Sequence, residues 1–177
     1  LGDVAKAKSL SEQARTLPED EPFFDPLVAE VERQRVGLQA RLGAVVEMER
    51  QGNVQSAADL LLRLTNAYQN DSRPWLMLGQ MLRQQNQFTQ AEEALSRAVQ
   101  IDPDSVEAWF TLGNVRVFLR KEKEAAEAFR EALRRKPDHA LASHNLGVCL
   151  KALGDLEGAR HAWRDALRSR PDYAPSR

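Results

Sequence analysis

At 177 residues the chain is long enough for one globular domain or one short repeat array. Its 25 basic and 26 acidic residues leave a net charge of −1, so no basic surface is on offer to displace the counterions of nucleic acid. No apolar run approaches the length of a membrane span, and a single cysteine, Cys149, excludes an intrachain disulfide. The compartment stays open. The cytoplasm is the default expectation, but the chain does not begin with Met, reads as a fragment, and a signal segment can precede it.

In chain order, GDVAKAKSLSEQARTLP at residues 2–18 reads as a helix near 3–17. EDEPFFDP follows as a turn, with Asp25 as a helix cap and Pro26 at the first helical position. The stripe Leu27, Val31, Leu38, Leu42, Val45 and Met48 predicts one long helix over 26–51, with a break near Gln34 and Arg35 as an alternative where the stripe lapses. A helix over 54–68 comes next. From there the chain repeats itself. WLMLG at 75–79 returns as WFTLG at 109–113 and, weakened, as SHNLG at 143–147. Leu78, Leu112 and Leu146 fall at the same interval of 34, as do Gly79, Gly113 and Gly147. So do Leu95, Phe129 and Trp163, then Pro103, Pro137 and Pro171. The helical stripes inside each unit predict helices near 73–86, 89–101, 106–120, 123–135, 140–153 and 156–169. A proline closes the second helix of each unit, because it cannot donate to an interior helical bond. The glycines and alanines are small so that helices can approach closely. Contact residues recur in register because one helix pair cannot bury its own apolar face and must stack on the next.

This pattern of Trp-x-x-Leu-Gly, alanine, aromatic, alanine and proline resembles the tetratricopeptide repeat. Three clear repeats occupy 72–105, 106–139 and 140–173, and a degenerate one occupies 38–71, lacking the tryptophan, the Leu-Gly pair and the proline. Residues 1–21 then read as the second helix of a truncated repeat plus turn, 22–71 as the long helix and degenerate repeat, 72–173 as three units, and 174–177 as a tail. The resemblance implies an all-α fold, a right-handed α-solenoid of antiparallel helix pairs. It also implies that first helices line a concave groove that binds a peptide or protein segment. Among the residues it places there are Gln80, Arg83, Phe110, Asn114, Val117, Phe118, His144, Asn145, Val148 and Lys151. Phe110 and Phe118 are large apolar groups beside polar ones, the mark of an interaction surface. Asn114 and Asn145 are 31 apart, one repeat less one turn, so they should face each other across adjacent helices. An amide both donates and accepts, so this pair suits the backbone of an extended peptide.

Catalytic and metal chemistry find little support. His144 and Cys149 do not share a helical face, and no Cys-x-x-Cys or His-x-x-x-His spacing occurs. Neither catalysis, a metal nor a cofactor is expected. The expected role is a protein-interaction scaffold with a protein or peptide partner. Self-assembly, or a regulatory domain of a larger and potentially enzymatic parent, is the alternative. A second copy is a further candidate partner, through a C-terminal end whose Leu150, Leu153, Leu156 and Leu167 no following repeat covers. Finally, Arg116 and Glu122 replace apolar residues of the neighbouring repeats, and the simplest expectation is that they pair with each other.

Overall fold

The computed structural model describes the backbone of residues 26–170 and side chains from residue 36 onward. The helix expected near 3–17, the cap at Asp25 and the tail at 174–177 lie outside the described residues. Eight helices and no strand lie within them: α1 (Pro26–Arg50), α2 (Val54–Ala67), α3 (Ser72–Gln84), α4 (Phe88–Ile101), α5 (Val106–Phe118), α6 (Glu122–Arg135), α7 (Ala140–Ala152) and α8 (Leu156–Ser169). Each boundary falls within two residues of the periodicity's expectation. The α1 helix runs through Gln34 and Arg35 without a break. The chain divides into two compact units between Arg41 and Leu42, inside α1.

In the second unit every helix from α2 onward packs on its successor, and the first helices α3, α5 and α7 also touch in sequence. Such a solenoid has no single core. One buried cluster joins Leu95 and Ala98 of α4 to Leu112 and Val115 of α5 and Ala128 of α6. The next joins Phe129 of α6 to Leu146, Cys149 and Leu150 of α7 and Ala159 of α8. Leu78, Leu112 and Leu146 are all buried, so residues one period apart occupy equivalent environments.

The small residue of each Leu-Gly pair sits directly under the large residue of the paired second helix. Gly79 lies against Leu95, Gly113 against the Phe129 ring and Gly147 against the Trp163 indole, each too close for an added Cβ. The tryptophan at the other conserved place in the period has a different task. Trp109 Nε1 donates to the Pro103 carbonyl at 2.8 Å, tying its own helix to the loop that precedes it.

Two loop devices also recur at 34 residues. Each first helix ends in a left-handed residue: Gly52, Asn86, Arg120 and Gly154, with φ of 78°, 61°, 59° and 85°. At each one the amide of the left-handed residue bonds three residues back and the next amide bonds five back, as in Arg120 N to Val117 O and Lys121 N to Arg116 O. This double closure satisfies the orphan carbonyls of the helix end. Gly52 brings the weak repeat at 38–71 into line with the others. The first helices α3, α5 and α7 are capped at their starts by Asp71, Ser105 and His139, again one period apart, each side chain accepting from a first-turn amide.

The expected Arg116–Glu122 pair does not form. Arg116 Nε lies 3.2 Å from Glu92 on α4, the preceding second helix, and its Nη1 donates to the Glu124 carbonyl at 3.0 Å. Lys121 Nζ reaches the other Glu92 oxygen at 2.6 Å. Burial alone would raise the Glu92 carboxyl, but the hydrogen bonds from Lys121 and Arg116 outweigh it and hold the group below its ordinary range. Glu122 lies instead near the Cys149 thiol. A helix residue at a repeat junction faces the neighbouring second helix, and a comparison along the chain alone does not supply that partner. Both carboxylate and guanidinium are mostly covered, at 16% and 19% exposure, so the pair is worth more than a surface ion pair. A double-mutant cycle with Arg116→Leu and Glu92→Leu is expected to show coupling above about 1 kcal/mol, whereas Arg116→Leu with Glu122→Leu should be additive.

Candidate functional site

The contiguous first helices place polar and apolar side chains along one face. Arg83 from the last turn of α3, Asn114, Val117 and Phe118 from α5, and Asn145 and Val148 from α7 line a cavity of about 250 Å³. The two asparagines meet as their spacing predicts, with Asn145 Nδ2 donating to Asn114 Oδ1 at 2.7 Å. That bond consumes one donor of Asn145 and one acceptor site of Asn114. Asn114 Nδ2 and Asn145 Oδ1 engage no other group among the described residues, so the pair leaves one amide nitrogen to donate and one carbonyl oxygen to accept.

The walls are apolar. Phe118 is 59% exposed yet held in place, because its ring stacks on Phe88 of α4 at 4.6 Å and 6°. Val148 is 43% exposed. The Arg83 guanidinium makes no ion pair among the described residues, and its Nε is buried without a hydrogen-bond partner.

Six of the ten lining residues named from the sequence, Arg83, Asn114, Val117, Phe118, Asn145 and Val148, are therefore brought together, and the other four have different roles. Gln80 Nε2 donates to Glu107 Oε1 at 2.7 Å, bridging α3 to α5. Phe110 is not the exposed ring that its place on the first helix suggests. It is partly buried against the second core cluster, tilted on Phe129 at 5.9 Å and on His139 at 4.8 Å. His144 is half-buried, its burial lowers the imidazole pKa, and its carbonyl accepts from Trp163 Nε1 at 3.2 Å. Lys151 is exposed on the last turn of α7.

His139 supplies a pH-sensitive joint beside Phe110. Its Nδ1 accepts from the Ala142 amide at 3.2 Å, which requires an unprotonated nitrogen. Burial lowers its pKa, with Lys136 adding to the effect against the opposing backbone bond and Asp138. A lowered folded pKa means that the neutral form stabilises the fold. Its contribution is complete above the ordinary histidine value of about 6.5 and is lost as pH falls through the lowered one. His139→Asn keeps a capping acceptor without the titration. Its melting temperature is expected to fall less than the wild type's between about pH 7 and 5, as followed by circular dichroism.

Cys149 is buried, and burial, with Glu122 nearby, pushes its thiol up to about 11. A thiol held protonated is a poor nucleophile and a poor metal ligand. Among the described residues no three His, Cys, Asp or Glu side chains gather closely enough to hold a metal ion. No helix there is long and apolar enough to cross a membrane.

A second cavity, of about 380 Å³, escaped the sequence reading. It opens between α2, α3 and α4 and is lined by Leu62, Trp75, Leu82, Gln85, Gln87 and Gln90 among others. One period later Arg116, Glu92 and Lys121 stand where Leu82, Ala58 and Gln87 stand here. Their ion pairs bridge the equivalent junction. The signal available in the sequence was the shorter, uncharged set at the first junction.

Solved structures share this architecture. A crystal structure of MamA aligns with a TM-score of 0.71 at 22% identity, covering 73% of this chain and 76% of that one. The MamA fragment from Desulfovibrio magneticus RS-1 aligns at 0.72 and 19% identity, covering 78% of each. YrrB, described as a TPR protein with an unusual peptide-binding site, aligns at 0.69 and 26% identity, covering 77% of this chain and 71% of that one. No curated protein matches the chain significantly. The all-α solenoid, the 34-residue period and the match of residues 30–167 to the TPR domain of cytochrome c-type biogenesis protein H show that the chain belongs to that family of tetratricopeptide-repeat domains.

Proposed function

We propose that the chain is a protein-interaction module that holds an extended segment of a partner protein along the face of α3, α5 and α7, and that it has no enzymatic activity of its own. The observation that carries this reading is the Asn114–Asn145 pair, which leaves one amide donor and one carbonyl acceptor beside the apolar walls of Val117, Phe118 and Val148. An extended backbone presents the complementary groups, and its side chains alternate, so every second one can enter the cavity. The peptide-binding site attributed to YrrB supports the same use of a related fold. The family's description directs the search for the partner to proteins handled in cytochrome c-type biogenesis.

The test is affinity capture of such a partner, followed by titration calorimetry with variants. Phe118→Ala and Asn145→Ala are each expected to weaken binding at least about fivefold, the loss of roughly 1 kcal/mol, with helix content unchanged. If affinity survives both changes, the partner lies on another face.

A further inference from the structure

Arg83 is the one feature of the groove that a neutral peptide backbone leaves unexplained. The residue lines the cavity with Asn114 and Asn145, its guanidinium pairs with no carboxylate among the described residues, and its Nε is buried with no acceptor. The other half-buried arginines among the described residues each have a carboxylate partner. Arg73 is held by Asp71 at 2.7 Å, Arg116 by Glu92 at 3.2 Å and Arg135 by Glu131 at 2.6 Å. Glu107, the one acidic residue of α3, α5 and α7, is engaged by Gln80. A partly covered cation without a counter-charge is a standing electrostatic cost, and a ligand carboxylate placed against it forms a charge-assisted bond.

We infer that the groove recognises an acidic side chain, Asp or Glu, two positions from an apolar residue within an extended internal segment of the partner, so that both point the same way, with the carboxylate on Arg83 and the apolar side chain between Val117, Phe118 and Val148. This rests on the groove reading and specifies its ligand. A side-chain carboxylate fits better than a chain terminus for two reasons. The amide pair offers both a donor and an acceptor, which suits a backbone that continues in both directions. Among the described residues Arg83 is the one cation lining the cavity, whereas a free terminus is generally captured in a nest of backbone amides.

The probes are short peptides blocked at both ends and carrying Asp-Ala-Leu, their Asn-Ala-Leu counterparts, and a peptide without Asp whose C-terminal carboxylate is free. Each is titrated into the full chain while side-chain amide signals of Asn114 and Asn145 and the Arg83 Nε–H signal are followed by nuclear magnetic resonance. The blocked Asp-Ala-Leu peptide is expected to bind about tenfold more tightly than Asn-Ala-Leu at low salt. Arg83→Gln should abolish that difference by lowering the Asp-Ala-Leu affinity to that of Asn-Ala-Leu, and Arg83→Lys should restore part of it. Equal binding of the Asp and Asn peptides at the groove overturns this inference and leaves the groove reading standing. A preference for the free-terminus peptide also overturns it, naming the terminus as the source of charge. If none of the peptides shifts the asparagine signals, the groove reading falls together with it.

Discussion

Phe129→Ala is expected to cost about 3–5 kcal/mol of folding stability, the usual range for a large aromatic removed from a core. Phe129 is completely buried and is the largest of the fully buried side chains. Its ring covers Gly113 within its own helix pair, meets Phe110, and belongs to the cluster that continues into α7 and α8. In a solenoid, stability is approximately a sum of repeat terms and nearest-neighbour interface terms. Losing this ring weakens both the α5–α6 pair and the α6–α7 junction. The surrounding atoms cannot collapse into the space easily, because the contacts on one side are helix backbone and glycine. Urea unfolding followed by circular dichroism should show a markedly lower midpoint for Phe129→Ala and a smaller drop for Phe129→Leu. A loss under about 1.5 kcal/mol would contradict the tight seat described for this ring.

The same Gly→Ala substitution is expected to act with opposite sign at two helical positions. Gly43 lies within α1, is exposed, and an added Cβ there meets nothing within 4 Å. Alanine should stabilise by about 0.5–1 kcal/mol, the difference in helix propensity. At Gly113 the added Cβ would fall 2.6 Å from Phe129 Cε1 and 2.8 Å from two further ring atoms. The ring is fully buried and cannot rotate away, so overpacking of about 1–3 kcal/mol outweighs the propensity gain. Gly79→Ala should be milder than Gly113→Ala, because Leu95 is a flexible side chain rather than a planar ring. A cycle gives the decisive check. In the Phe129→Leu background the penalty at Gly113 should shrink, with coupling above about 0.5 kcal/mol between the two sites. Purely additive changes would show that the glycine is small for some reason other than the aromatic above it.

Much of this architecture was legible in the sequence, because the constraints that produce it are local and recur. The interval between Leu78, Leu112 and Leu146 reports a stacked contact, and each proline reports a helix end. The Asn114–Asn145 meeting was also legible, since helical spacing and the period together locate a residue pair across adjacent first helices. What only the tertiary structure decided are the pairings that depend on which neighbour covers a side chain. Arg116 turns to Glu92 of the preceding pair rather than to Glu122, six residues onward. Phe110 lies on the same helix as Phe118 but is covered by Phe129 and His139, while Phe118 rests on Phe88 and stays 59% exposed. Arg83 has no counter-charge among the described residues, because no neighbouring helix there brings one to it. Periodicity specifies where helices pack, since burying an apolar stripe requires the same contact in every unit. The partner of a charge is set by a few ångströms of side-chain reach across a junction, and that distance exists only once the helices are stacked.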